Sequence, residues 1–191
     1  MAAPVTRRGR VVVVSGPSGV GKTTLCRRLV AELKLARSVS ATTRPPRPGE
    51  VGGRDYLFLS PEEFRRGVEA GEFLEFVESH GHRYGTPLLP LRERLDEGAD
   101  ILLEIDVRGA RAVRKVLTGG IFVFIAPPDE KELLRRLEGR RTEDARHVAM
   151  RIARAREEMA AAGEYDRTIV NGDLEKAHGE LIAYVTEALG R

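Results

Sequence analysis

A lysine and a threonine follow a glycine-rich segment near the start of the chain, in a spacing that suits phosphate binding. The segment Gly16-Pro-Ser-Gly-Val-Gly-Lys-Thr23 matches the pattern G-x-x-x-x-G-K-[ST]. Glycines let backbone N–H groups approach a phosphate closely, Lys22 can reach the β- and γ-phosphates, and the Thr23 hydroxyl is a hard oxygen ligand for Mg²⁺. We therefore predict that a nucleoside triphosphate is bound by Gly16, Pro17, Ser18, Gly19, Val20, Gly21, Lys22 and Thr23.

Arginines supply the next candidates for chemistry. We find no Ser/His/Asp or Cys/His catalytic arrangement in the sequence. This fits an acceptor that is already an anionic phosphate, because transfer then depends on positioning and charge neutralisation. Arg44 and Arg47 stand in a loop stiffened by prolines, and a second arginine-rich stretch contains Arg136, Arg140 and Arg151. Guanidinium groups bind phosphates through paired hydrogen bonds, so both sets are candidate clamps for phosphoryl groups.

Three carboxylates complete the candidate chemistry. Glu104 and Asp106 flank Ile105 at the end of an apolar run, and strand alternation predicts that they lie on the same side. Ligands of open α/β sheets bind at such strand ends. One carboxylate could hold a Mg²⁺-bound water, and the other could accept hydrogen bonds from a base. Glu75 is a lone acid in apolar surroundings, and an edge-strand surface position is the alternative interpretation for it.

The elements around these residues predict an α/β fold. Apolar runs at residues 10–15, 101–105 and 121–125 predict strands that are buried on both faces, and hence a parallel sheet flanked by helices. Amphipathic helices are predicted at residues 22–35, after the first apolar run, and at residues 174–189, after the last one. The segment 38–96 is rich in proline and glycine near its start, which predicts a compact insertion of short elements.

Composition narrows the class of protein. The chain has 191 residues, of which 41% are hydrophobic and 32% charged, as in a globular domain. The one cysteine, Cys26, excludes an internal disulfide and is expected to pack in the core. No apolar run approaches the ~20 residues of a membrane span, and no signal peptide is recognised. The net charge is +3, but aromatic residues make up only 5%, which argues against nucleic-acid binding as the main function.

Six blocks of sequence together resemble the guanylate kinase family. They are the phosphate loop, SVSATTRPPRPGE at 38–50, GRDY at 53–56, GEFLE at 71–75, YGT at 84–86 and LEIDV at 103–107. The match is collinear from about Val11 to the C-terminal helix. It implies a P-loop NTPase-type core at 1–37, 97–139 and 163–191, an inserted small α+β GMP-binding domain at 38–96, and a helical lid at 140–162.

The same resemblance implies a function. It implies ATP-dependent phosphorylation of GMP, and of dGMP, to the diphosphate, with Mg²⁺ and ATP as co-substrate, in the cytoplasm. The expected partners are the small nucleotides ATP and GMP, with no nucleic acid and no membrane. The oligomeric state is left open. Two alternatives are a kinase for another acceptor, such as AMP, and a peptide-binding scaffold domain, which typically has a degraded phosphate loop.

Site residues are carried over position by position. Those matching guanine contacts are Ser40, Glu75, Thr86 and Asp106. Those matching contacts to the acceptor phosphate are Arg44, Arg47, Tyr56 and Tyr84. Arg136, Arg140 and Arg151 match residues that neutralise the transferring phosphoryl group, and with Lys22 and Arg44 they form the expected catalytic set. Thr23 and Glu104 are expected near the metal, and Asn171 near the adenine of ATP.

Carboxylates suit guanine because its Watson–Crick edge offers adjacent N–H donors, whereas adenine offers an acceptor there and would leave buried groups unpaired. The chain departs from the family pattern at three positions. His82 stands where Asn is usual, Arg108 where Gln is usual, and Arg141 where Gly is usual in the lid. None of these changes removes a residue to which we assign chemistry.

Overall fold

Two sheets organise the part of the chain that the structure, a computed structural model, describes: residues 7–79, 81–138 and 145–191. The strands are β1 (Val11–Ser15), β2 (Ala36–Arg37), β3 (Ala41–Thr42), β4 (Leu57–Phe58), β5 (Phe73–Ser79), β6 (His82–Pro87), β7 (Ile101–Glu104), β8 (Ile121–Ala126) and β9 (Arg167–Val170). The helices are α1 (Lys22–Leu33), α2 (Pro61–Glu69), α3 (Leu88–Asp96), α4 (Val107–Val116), α5 (Glu130–Glu138), α6 (Ala145–Ala160) and α7 (Leu174–Leu189). A short 3-10 helix, Ala162–Glu164, precedes β9.

The larger sheet has five strands in the order β2-β7-β1-β8-β9, and all neighbours are parallel. Every residue of β1 and β8 is buried, because helices cover both faces of the sheet. Leu25 of α1 and Leu181 of α7 pack on one face, and Leu95 of α3 and Val113 of α4 pack on the other. The predicted α/β fold with a parallel sheet is thus confirmed.

The smaller sheet has the order β4-β3-β6-β5, and β6 runs antiparallel to both β3 and β5. Helix α2 covers it, with the Phe64 ring stacked on Phe73 at 4.5 Å between centroids. Helix α2 begins with a capping box, since Ser60 accepts a hydrogen bond from the Glu63 N–H and Glu63 accepts one from the Ser60 N–H. All four strands fall within residues 38–96, but the domain boundaries themselves stay a prediction.

Several element ends differ from the sequence expectation. Helix α1 ends at Leu33, two residues early, because Lys34 adopts a left-handed conformation with φ of 54°. Strand β7 ends at Glu104 and α4 begins at Val107, because the Asp106 side chain caps α4 by accepting the Gly109 N–H at 2.9 Å. Among the described residues, no helix combines the length and the apolar character needed to cross a membrane.

Candidate active site

The phosphate loop joins β1 to α1 and depends on glycine at two close approaches. Gly16 has φ of 145°, and a Cβ there would lie 2.1 Å from the Ile125 carbonyl oxygen of β8. Gly21 has φ of 93° and serves as the N-cap of α1 without a side-chain cap. Both positions therefore require glycine, and the α1 N–H groups point from a positive helix end toward the loop.

Lys22 is the first residue of α1, and its side chain folds back over the loop. Its Nζ donates to the Gly16 carbonyl at 2.5 Å and to the Pro17 carbonyl at 2.9 Å. Burial lowers the pKa of Lys22, while the nearby carboxylates of Glu158 and Glu104 act in the opposite direction. The ammonium group thus lies at the centre of the loop, where the phosphates of a nucleotide would be bound.

Thr23 and Glu104 face each other beside the loop. The Thr23 hydroxyl donates to Glu104 Oε1 at 2.6 Å. The other carboxylate oxygen, Oε2, is buried and accepts no hydrogen bond from any residue that the structure describes; the nearest cation is Arg37 Nη2 at 3.6 Å. A hydroxyl and an anionic oxygen of this kind suit Mg²⁺, which binds in proteins through a few oxygen ligands together with phosphates and water. The residues present therefore fit the metal.

Glu75 lies on β5 in a largely closed environment, so the surface interpretation is wrong for it. The residue is 6% exposed, and its Oε1 accepts a hydrogen bond from the Thr86 hydroxyl of β6 at 2.7 Å. Burial raises the pKa of Glu75 to about 7, and the charge of Asp106 acts in the same direction. A Cβ on Gly109 would lie 2.7 Å from Glu75 Oε2, so this glycine lets α4 lie against the carboxylate.

Asp106 lies at the start of α4 and is held on both oxygens. Its Oδ1 accepts the Gly109 N–H at 2.9 Å, and its Oδ2 accepts Arg154 Nη2 at 2.9 Å and Arg108 Nη2 at 3.3 Å. The carboxylates of Asp106 and Glu75 both contact the first turn of α4. The structure thus brings together three of the four residues assigned to guanine, while Ser40 lies between β2 and β3 and accepts the Leu57 N–H through its carbonyl.

The residues assigned to the acceptor phosphate cluster around Arg44, which follows β3. Its guanidinium donates from Nη2 to both oxygens of Glu50, at 2.8 and 2.9 Å. It also lies 5.4 Å from the centre of the Tyr56 ring, and the Tyr56 and Tyr84 rings meet edge-on at 6.2 Å. Arg47 is exposed on the same loop, and its N–H donates to Glu50 at 2.7 Å.

The structure describes the side chains of Arg136 and Asn171 but not those of Arg140 and Arg151. Arg136 on α5 donates to Glu132 at 2.7 Å and to the Asn171 carbonyl at 3.2 Å. The Asn171 side chain, assigned to the adenine end, donates to the Val20 carbonyl at 2.7 Å and so supports the phosphate loop. Arg151 belongs to α6, but its side chain lies outside the described part of the chain, as do Arg140 and Arg141 entirely.

Sequence reasoning missed Arg154 and Glu158 of α6. Arg154 contacts Asp106, and Glu158 carries a charge that acts on Lys22. The sequence shows both only as members of a charged helix. Their spacing of four residues indicates one helix face, but nothing local indicates which elements that face meets.

Comparison with known proteins adds independent findings. The family model described as guanylate kinase matches residues 8–188. A guanylate kinase of Rubrobacter xylanophilus is 52% identical over 177 residues, covering 92% of this chain and 93% of that protein. One from Nitratidesulfovibrio vulgaris is 51% identical over 185 residues, covering 96% and 89%. The crystal structure of guanylate kinase from Anaplasma phagocytophilum superposes with a TM-score of 0.78 at 32% identity, covering 97% of this chain and 88% of that one.

Proposed function

The chain belongs to the guanylate kinase family, and we propose that the site described above is where it binds both nucleotides and transfers the phosphoryl group. The enzyme is a kinase that converts ATP and GMP to ADP and GDP. The observation that carries the assignment of the site is the pairing of a lysine-bearing phosphate loop with a buried carboxylate, Glu75.

On the donor side, the phosphate loop binds the β- and γ-phosphates of ATP. Backbone N–H groups at the start of α1 and the Lys22 ammonium supply positive charge to them. Lys22 already reaches two carbonyls of the loop, so it can exchange them for phosphate oxygens without leaving its position. Asn171 stabilises the loop by its hydrogen bond to Val20, and we keep its contact with adenine as a proposal.

On the acceptor side, Glu75 and Asp106 receive the N–H donors of the guanine edge, with Thr86 and Ser40 beside them. Thr86 donates to Oε1 of Glu75, which leaves Oε2 and a second acceptor position of Oε1 for guanine. Adenine would place a ring nitrogen acceptor against the same carboxylate and leave both unpaired, so the subsite selects guanine. Nothing in this recognition involves the ribose 2′ position, and we propose dGMP as a second acceptor.

Arginines hold the acceptor phosphate and the transferring phosphoryl group. Arg44 and Arg47, with the Tyr56 and Tyr84 hydroxyls, bind the phosphate of GMP. Arg44 is oriented for this by Glu50 and by the Tyr56 ring. Arg136, together with the predicted contributors Arg140 and Arg151, neutralises charge that develops during transfer, which is the main catalytic requirement when the nucleophile is itself a phosphate.

Thr23 and Glu104 would hold Mg²⁺, directly or through water. When bound, the metal neutralises and orients the phosphates of ATP. Glu104 is suited to this because the Thr23 hydroxyl orients its Oε1, while its Oε2 accepts no hydrogen bond from the described residues. The proposed partners are the nucleotides alone, the proposed location is the cytoplasm, and the proposed organisation is core, insertion and lid with the boundaries given above.

The test is ADP release from Mg²⁺ATP with GMP, dGMP, AMP, CMP and UMP as separate acceptors. We expect rapid turnover with GMP, and turnover with AMP at least about a hundredfold slower. Lys22→Met should lower kcat by about a hundredfold or more, while Lys115→Met, an exposed lysine of α4, serves as the matched control. A folded protein that binds ATP but phosphorylates none of the acceptors would favour the peptide-binding alternative.

A further inference from the structure

Arg154 connects α6 to the proposed guanine subsite through two hydrogen bonds. Its Nη2 donates to Asp106 Oδ2 at 2.9 Å, and its Nη1 donates to the Ser79 hydroxyl of β5 at 2.8 Å. One guanidinium therefore joins a helix, a strand of the smaller sheet and the N-cap of α4. The partners lie 48 and 75 residues away in sequence, so these contacts are long-range.

The Arg154 guanidinium, whose nitrogens form a fork of hydrogen-bond donors, is oriented by Glu158 of its own helix. Its Nε lies 3.3 Å from Glu158, four residues later on the same face of α6. Because the guanidinium is planar, fixing Nε also fixes the directions in which Nη1 and Nη2 donate. A lysine could make one of these contacts as a point charge but could not reproduce the fork.

The geometry at Asp106 explains why this orientation matters for a ligand. The Gly109 N–H occupies one lone pair of Oδ1, and Arg154 occupies one of Oδ2, so the carboxylate plane is held from two sides. A carboxylate offers about four acceptor positions, which leaves positions for an N–H donor of the base. Arg108 also reaches Oδ2, but at 3.3 Å and with a side chain that is 51% exposed, so its hold on the carboxylate is weaker.

Charge supports the same role. Glu75 and Asp106 both contact the first turn of α4, and two carboxylates in one subsite repel each other. Arg154 supplies a positive charge in direct contact with one of them, in a partly buried position where solvent screens it less. Arg154 thereby offsets part of the repulsion between the two carboxylates.

We propose that Arg154 is a positioning residue for the acceptor base: it orients the Asp106 carboxylate toward guanine and fastens α6 to β5 at the guanine subsite. The inference rests on the proposed function, because it takes Asp106 as a guanine acceptor. The inference goes beyond the proposed function because it gives α6 a part in recognising the base, in addition to any contact that α6 makes with phosphates.

The experiment compares steady-state kinetics of Arg154→Ala, Arg154→Lys and Arg156→Ala in the full chain. Arg156 is the matched control, since it lies on the same helix, is exposed and pairs with Glu130. We expect Arg154→Ala to raise the KM for GMP about tenfold, with a smaller change in the KM for ATP. Arg154→Lys should recover part of the loss, and Arg156→Ala should stay within about twofold of the wild type.

A double-mutant cycle with Ser79→Ala separates positioning from helix stability. If the Ser79 contact orients the fork, the two changes in KM for GMP should be less than additive. An equal rise in both KM values with a lowered melting temperature, or a KM for GMP that falls because Arg154 competes with the base, would overturn the inference. Wild-type turnover of GMP with an unchanged KM in Arg154→Ala refutes this inference alone, whereas a wild type inactive on GMP refutes the proposed function.

Discussion

Replacing Glu75 with glutamine removes one charge from the proposed guanine subsite and keeps the size of the side chain. Glu75 is 6% exposed, and its Oε1 already accepts the Thr86 hydroxyl. Guanine would bring two adjacent N–H donors to this carboxylate, but an amide offers one oxygen and one NH₂ group. One donor then faces another donor in a buried place, which costs about 1–3 kcal/mol. We expect kcat/KM for GMP to fall by roughly 5- to 150-fold in Glu75→Gln.

The pH dependence gives a sharper form of the same test. Burial raises the pKa of Glu75 to about 7, so the free enzyme changes from protonated to ionised near neutrality. Only the ionised form accepts both donors, so kcat/KM for GMP should rise with pH up to about 7. One unit below the pKa about a tenth of the molecules are ionised, which predicts roughly a tenfold loss. The nucleotides titrate as well, so the informative quantity is the ratio of wild type to Glu75→Gln at each pH.

Stability should change in the opposite sense. The folded pKa of Glu75, about 7, lies above its unfolded value of 4.5, so folding favours the protonated acid. That contribution is present in full below pH 4.5 and is lost as the pH rises through about 7. The ionised side chain then costs about 3 kcal/mol. In urea unfolding experiments, Glu75→Gln should therefore become more stable relative to the wild type as the pH is raised.

The matched control is Glu78→Gln on the same strand. Glu78 is exposed, and its odd separation from Glu75 places it on the opposite face of β5. It should leave both the kinetic ratio and the stability difference unchanged with pH. The assignment of guanine to Glu75 would be refuted by a ratio that does not vary with pH, together with unchanged selectivity for GMP over AMP.

Two further substitutions test neighbouring parts of the site. Arg44→Ala should raise the KM for GMP by roughly tenfold or more, and the KM for ATP much less, because a charged hydrogen bond to phosphate is lost. The control is Arg54→Ala, which removes an exposed arginine of the same loop. A larger rise in the KM for ATP than in the KM for GMP would put Arg44 on the donor side. Gly109→Ala should raise the KM for GMP, because its Cβ would lie 2.7 Å from Glu75 Oε2 and displace this buried carboxylate. The matched control is Gly179→Ala in α7, where an added Cβ would have no contact within 4 Å beyond the backbone of its own helix among the described residues. Equal effects of the two substitutions would contradict the reasoning.

The parts of the fold that could be predicted are those determined by local sequence. Apolar runs identify β1, β7 and β8 because both faces of a parallel strand are buried, and the phosphate loop is a contiguous pattern. The two-residue strands β2 and β3 could not be found this way, since two residues show no periodicity. Helix α3 was missed for a related reason, because it starts after Pro87 without a side-chain cap.

The acceptor subsite was only partly predictable. The residues alone left Glu75 open between a buried acid and a surface position, and the resemblance assigned it to guanine. Its burial depends on α4 lying against it at Gly109, a contact between residues 34 positions apart, on which local pattern carries no information. The contacts of Arg154 could not be predicted for the same reason. The sequence of α6 shows a charged face, but the partners of Arg154 are determined by how α6 packs against β5 and α4.

The energetics of this subsite link recognition to the placement of α6. Selecting guanine requires buried carboxylates, and burial by itself favours their neutral form, as the pKa of Glu75 shows. The fold offsets this cost with hydrogen bonds from Thr86 and Gly109 and with the positive charge of Arg154, which arrives from α6. The hydrogen bonds come from β6 and α4, whereas the Arg154 charge comes from α6, which lies within the proposed lid at 140–162. The positive charge therefore reaches the subsite only when α6 is in contact with it. A guanine base bound there should therefore favour the position of α6 that places Glu158 near Lys22.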